Sequence, residues 1–253
     1  MSAVLELLAY SSLVVALAAS ALCAAAGRVL GADPTPATLV IAAAGTLFIY
    51  NVDRLRDVER DRATSPHRTA FVERWRPALL GLAGASAAAA AVLALRAGPR
   101  VVIALAPIAV LGLAHRRLKQ FASWKPFYVS GAWTAVVVGL PAAMVERVRD
   151  VPWIAAIVSA TIAANVIASN LRDQEAPAAR FGARVPLRIA RGLVLGAAAF
   201  ALLAPGGVQA LVPIPLATLA ALAAFRPTEL YGLIAVDGAL LVGALASLAI
   251  PSS

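Results

Sequence analysis

The stretch YNVDRLRDVERDRATSPHRTAF, Tyr50–Phe71, decides how the rest of the chain is read. Asp53, Asp57 and Asp61 recur every four residues among arginines, directly after an apolar run. If the helix of that run continues through Asp61, the carboxylates drift only about 40° per step and line one face. Crowded at a membrane boundary they repel one another, unless a cation sits among them. Oxygen-only ligands of this kind select Mg²⁺ or Ca²⁺ over transition metals. The same spacing also permits ordinary ion pairs on a hydrated helix end, Asp53 with Arg56, Asp57 with Arg60 and Glu59 with Arg62.

Outside this stretch the chain is strongly apolar. Of its 253 residues 61% are hydrophobic and 14% charged, with a mean hydropathy of +0.84. A soluble domain would carry about a quarter charged residues. Nine apolar runs, at roughly 4–31, 36–52, 77–96, 101–114, 126–145, 151–170, 186–204, 207–225 and 230–250, predict an all-α polytopic membrane protein. The expected architecture is a bundle of about nine transmembrane helices forming one domain over residues 1–253. Runs such as GLAGASAAAAAVLAL let helices approach closely, which favours a compact bundle. The first run is too long and too poor in basic residues for a cleaved signal peptide, so it reads as a retained span. One cysteine, Cys23, and two distant histidines, His67 and His115, exclude disulfide frameworks and the common His-based metal motifs.

The net charge of +9 raises nucleic acid as a partner, but the basic residues sit between apolar runs rather than on one soluble face. Seventeen of the twenty-two follow the second, fourth, sixth and eighth runs. The positive-inside rule therefore predicts that these loops and the N-terminus face the cytoplasm of an inner-membrane protein.

LRDVE, Leu55–Glu59, follows the second run, and LRDQE, Leu171–Glu175, follows the sixth. Arg68 and Arg184 keep the same offset of 116 residues. This internal repeat relates the first four spans to the next four. It predicts that Asp57 and Asp173 are counterparts facing one another across a cavity, as duplicated membrane halves commonly place a site at their interface. Mg²⁺ takes one or two carboxylates from a protein and completes its shell with water and phosphate oxygens. Arginine and lysine nearby suit the same phosphate. Asp237, well inside the last run, either orients a ligand or bonds a neighbouring helix. Asn165, deep in the sixth run, faces the same choice. Trp124, Tyr128, Trp133 and Trp153 fall near span ends, where an aromatic belt accounts for them.

DRLRDVERDR, Asp53–Arg62, resembles the first aspartate motif, NDxxDxxxD, of the UbiA superfamily of intramembrane prenyltransferases. Asp57 and Asp61 are in register, while Asp53 and Arg54 replace the family's Asn-Asp and Asn51 lies close by. NLRDQEAP, Asn170–Pro177, resembles the second motif, DxxxD: Asp173 matches, Pro177 takes the place of the last aspartate, and Glu175 is the nearby acid. HRRLKQFASWKPFYVSGAWTA, His115–Ala135, is similar to the basic loop between the family's fourth and fifth helices. The resemblance implies a Mg²⁺-dependent transferase that moves an isoprenyl group from its diphosphate to an acceptor. It implies one Mg²⁺ on Asp57 and Asp61 with Asp53 as a further ligand, and another on Asp173 helped by Asn170 or Glu175. Arg68, Lys119, Lys125 and Arg172 would contact the diphosphate. Two alternatives stay open on the same scaffold: a terpene cyclase, and a non-catalytic isoprenoid-binding protein favoured by Pro177.

Overall fold

The computed structural model describes residues 3–32, 34–118, 124–145, 149–173 and 182–250, and among these every regular element is helical. The chain runs through α1 (Ala3–Tyr10), α2 (Leu13–Val29), α3 (Pro36–Arg56), α4 (Val58–Asp61), α5 (Pro66–Arg74), α6 (Arg76–Ala97) and α7 (Pro99–Leu118). It continues through α8 (Lys125–Val137), α9 (Gly139–Ala142), α10 (Val151–Arg172) and α11 (Arg184–Leu203). After a 3₁₀ segment, Gly206–Leu211, come α12 (Pro213–Ala223), α13 (Glu229–Tyr231), a π-helical turn Gly232–Val236 and α14 (Asp237–Ala249).

Among the described residues six helices are long and apolar enough to cross a bilayer, or seven if α1 and α2, whose axes diverge by 62°, form one span. The run expected at 101–114 is helical but shorter by this measure, and the run at 126–145 breaks at Val138, between α8 and α9. This is an integral, multi-pass membrane protein. Nine of the helices close a ring in which each packs on the next in sequence, from α2 through α3, α6, α7, α8, α10, α11 and α12 to α14, which returns to α2. Small side chains make that closure possible: Ala18, Ala19, Ala25 and Ala26 of α2 are buried, so neighbouring backbones come close and dispersion forces hold them.

Local signals set the helix ends. Thr35 caps α3, its hydroxyl accepting from the Thr38 amide at 3.3 Å, and Pro36 opens the helix where no N–H is required. Ser12, in the left-handed conformation at φ 67°, turns α1 away from α2. Arginines satisfy several orphan carbonyls at helix ends. Arg54 donates to Ala9 and Tyr10 at the end of α1, Arg191 to Leu222 at the end of α12, and Arg28 to Leu248 near the end of α14. Part of the basic surplus therefore serves helix termini.

The α3 helix does not run through Asp61 as expected. It ends at Arg56; Asp57, at φ −99° and ψ 8°, occupies the sparsely allowed bridge region, and α4 begins at Val58. The three-carboxylate ladder on one face is thus interrupted at its middle rung.

Candidate functional site

Asp57 and Asp173 each stand one residue beyond the end of a long helix, α3 and α10. The two LRD segments therefore adopt the same local geometry, a helix terminating on its Arg-Asp pair. At this end of the bundle lies a cavity of about 180 Å³. From the first acidic segment it is lined by Asp53, Arg54, Arg60, Asp61 and Arg68, from the second by Ser169, Arg172 and Asp173, and from α8 by Lys125.

Arg68 ties the two segments together. It is buried, and its Nη2 lies 2.8 Å from Asp61 and 3.9 Å from Asp173. Its backbone amide donates to the Glu229 carboxylate at 2.7 Å, which fixes the start of α5 against α13. Arg184, its counterpart at the 116-residue offset, is exposed. The likeness of the two helix ends therefore does not extend to these arginines, eleven residues beyond Asp57 and Asp173. Arg172 grips Asp173 with its fork, Nε and Nη2 each donating at 2.8 Å. Burial alone would raise the pKa of the Asp173 carboxyl, but Arg172, with Arg68 and Lys125, holds it well below the usual carboxylate range.

The counterpart of Asp173 across this cavity is Asp61, not Asp57. Asp57 is buried, lies 3.9 Å from Arg60, and does not line the cavity. Asn170 is buried beside the site, and its Oδ1 has no hydrogen-bond partner among the described residues; nor does Arg172 Nη1. Lys119, Glu175 and Pro177 lie outside the described residues. Tyr50, Arg54 and Gly232 are site elements that the motifs did not single out. A Cβ on Gly232 would stand 2.5 Å from Arg172 Cδ, so the π-helical turn makes room for that side chain. Tyr50 and Arg54, one helical turn apart and in line with Asp53, were legible only as continuations of the α3 face.

Deeper in the cavity the wall is Tyr50, Trp133, Asn165 and Asp237. Asn165 Nδ2 donates to Asp237 at 3.2 Å and to the Val236 carbonyl at 3.1 Å, so both polar residues bond across helices and also face the cavity. Trp133 Nε1 donates to Tyr50 Oη at 3.2 Å, with the rings edge-on at 6.2 Å. Beyond this pair is a second cavity of about 430 Å³, walled almost wholly by apolar groups of α3, α6, α7 and α8.

Five cationic side chains and four carboxyls line the polar cavity. No group of three or more acidic, His or Cys side chains among the described residues could hold a metal unaided. The donors are nonetheless of the right chemistry for Mg²⁺ arriving with a phosphate: carboxylates from both segments, Asp53 and Asp61 from one and Asp173 from the other, line one space. What the fold and the site define is a polytopic helical membrane protein with a polar, cation-rich chamber that shares wall residues with an apolar one.

The chain is similar in structure to a digeranylgeranylglyceryl phosphate synthase in membranes, with a TM-score of 0.56 and 15% identity, over 95% of this chain and 97% of that one. The likeness is one of fold, and it bears out at that level the resemblance drawn from the aspartate motifs. No family model matches the sequence, and no curated protein matches it.

Proposed function

We propose that the protein is an intramembrane prenyltransferase that takes an isoprenyl diphosphate and passes its hydrocarbon group to an acceptor. The observation that carries this reading is the pairing of chambers. A charged cavity holding acids and arginines from both repeated segments shares its inner wall with an apolar cavity more than twice its volume. An amphipathic ligand with an anionic head and a long apolar tail fits both at once. A digeranylgeranylglyceryl phosphate synthase as structural neighbour supports the same class of substrate.

In this reading Arg68, Arg172 and Lys125, which line the polar cavity, receive the diphosphate. Asp61 and Asp173, with Asp53 and Asn170 near them, would hold Mg²⁺, which when bound supplies neutralisation of the leaving group's charge. The allylic C–O bond breaks with its electron pair going to the diphosphate, where the guanidinium groups stabilise the developing charge. The carbon left positive faces the Tyr50–Trp133 pair, whose rings stabilise a cation and whose bulk keeps water from the tail chamber. An acceptor nucleophile then forms the new bond and gives up a proton. Orientation follows the basic loops, with the charged cavity opening to the cytoplasm.

A second reading has its own support. The acids are each held by arginine rather than clustered as ligands, which suits a non-catalytic isoprenoid binder. One experiment separates the two. Purified protein in nanodiscs of native lipid is given Mg²⁺, a whole-cell extract of small molecules and lipids to supply the acceptor, and dimethylallyl, geranyl, farnesyl or geranylgeranyl diphosphate, and released pyrophosphate is measured. A transferase releases it from at least one, and Asp61→Asn abolishes the release. Binding without release from any of them leaves the binder.

A further inference from the structure

The polar and apolar cavities have five wall residues in common: Ile49, Tyr50, Gly112, Ala132 and Trp133. These residues form the boundary between the two. On one side Trp133 and Tyr50 are fixed to each other by a hydrogen bond and edge-on contact. On the other, Ile49 of α3 meets Gly112 of α7. A Cβ placed on Gly112 would lie 2.5 Å from Ile49 Cδ1, 3.1 Å from Cγ1 and 3.3 Å from Cγ2.

Non-bonded carbons settle at about 3.5–4.0 Å, so the whole Ile49 side chain, and not its tip alone, occupies room that residue 112 leaves open. Ile is β-branched and keeps one strongly preferred rotamer in a helix, so it has little freedom to fold aside. Any side chain at position 112 therefore displaces Ile49, which lines both cavities.

We propose that Ile49 and Gly112 form the neck through which an isoprenoid tail threads, and that their combined bulk sets which tail lengths the protein accepts. The inference rests on the prenyl diphosphate reading of the two cavities. It places specificity at the throat between them, on residues remote from the carboxylates. A tail of one isoprene unit ends at the neck, whereas one of three units has to pass through it.

The test uses full-length protein in nanodiscs with Mg²⁺, titrated calorimetrically with inorganic pyrophosphate and with the non-ionisable S-thiolo analogues of dimethylallyl and farnesyl diphosphate. Alanine is a better helix former than glycine, so Gly112→Ala is expected to fold. The variant should weaken the farnesyl analogue at least tenfold while leaving pyrophosphate and the dimethylallyl analogue within about twofold. Gly112→Ala combined with Ile49→Ala should restore farnesyl binding to within about threefold of wild type. Equal weakening of all three ligands, no weakening, or no restoration in the double variant overturns the neck. Wild type that binds pyrophosphate but gains nothing from a tail overturns the neck and leaves the anion site standing. Wild type that binds none of them overturns the functional reading and the neck together.

Discussion

Arg68→Ala removes a side chain that touches both acidic segments, and its effect can be worked from the contacts. Asp173 keeps both oxygens on Arg172 at 2.8 Å, so its charge stays compensated. Asp61, under a quarter exposed, loses a charge-assisted bond of 2.8 Å. Bonds of that kind contribute about 1.5–3 kcal/mol. The larger cost of breaking a buried pair, about 3–5 kcal/mol, applies when a charge is left buried and uncompensated, and the partial exposure of Asp61 discounts it. The expected stability loss is about 2 kcal/mol, and the protein remains folded. The loss in pyrophosphate affinity should be similar, a rise in Kd of about 10- to 100-fold, since about 1.4 kcal/mol is tenfold. Arg68→Lys keeps the charge but not the fork and should fall between. Isothermal titration with pyrophosphate and Mg²⁺, on protein shown to be monodisperse by gel filtration, measures both variants. Arg68→Ala binding within twofold of wild type would make Arg68 a structural tie and refute its place in the anion site.

Asp61→Asn and Asp173→Asn should each lower pyrophosphate release from a prenyl diphosphate by at least about 100-fold, the scale for losing a group that stabilises developing charge. Asp57→Asn, altering a residue outside the cavity wall, should retain a tenth or more of the activity; the same assay ranks all three. EDTA should abolish release, and added Mg²⁺ should restore it. Gly232→Ala places a Cβ 2.5 Å from Arg172 Cδ and should cost about 1–3 kcal/mol in overpacking, read as a lower melting temperature and weaker pyrophosphate binding. The Asp173 carboxyl is held below its unfolded value, so its contribution to stability is complete above about pH 4 and fades as pH falls through the folded value. Melting temperature between pH 6 and 3 should therefore drop more steeply in wild type than in Asp173→Asn; parallel curves would remove the coupling.

Much of the bundle was legible because long apolar runs permit little besides helices in a bilayer, and the site's end of the bundle was legible because the LRD segments recur. The ladder was not. A period of four predicts one face only while the helix is unbroken, and the turn at Asp57 moved that residue off the cavity wall while leaving Asp53 and Asp61 on it. Arg54 carried no signal either, since its partners, the carbonyls of Ala9 and Tyr10, belong to a bend 45 and 44 residues away at the left-handed Ser12. Gly112 and Gly232 were invisible for a related reason: what matters at each is a side chain from a distant helix occupying the space they leave.

Arg54 borders the charged chamber, yet its guanidinium is turned onto the peptide oxygens that end α1. The short N-terminal helix thus sequesters one positive charge within reach of the ligand. Were Ala3–Tyr10 to swing away, that charge would become available to the chamber. The bend at Ser12 thereby sets how much positive charge the chamber presents to an anion.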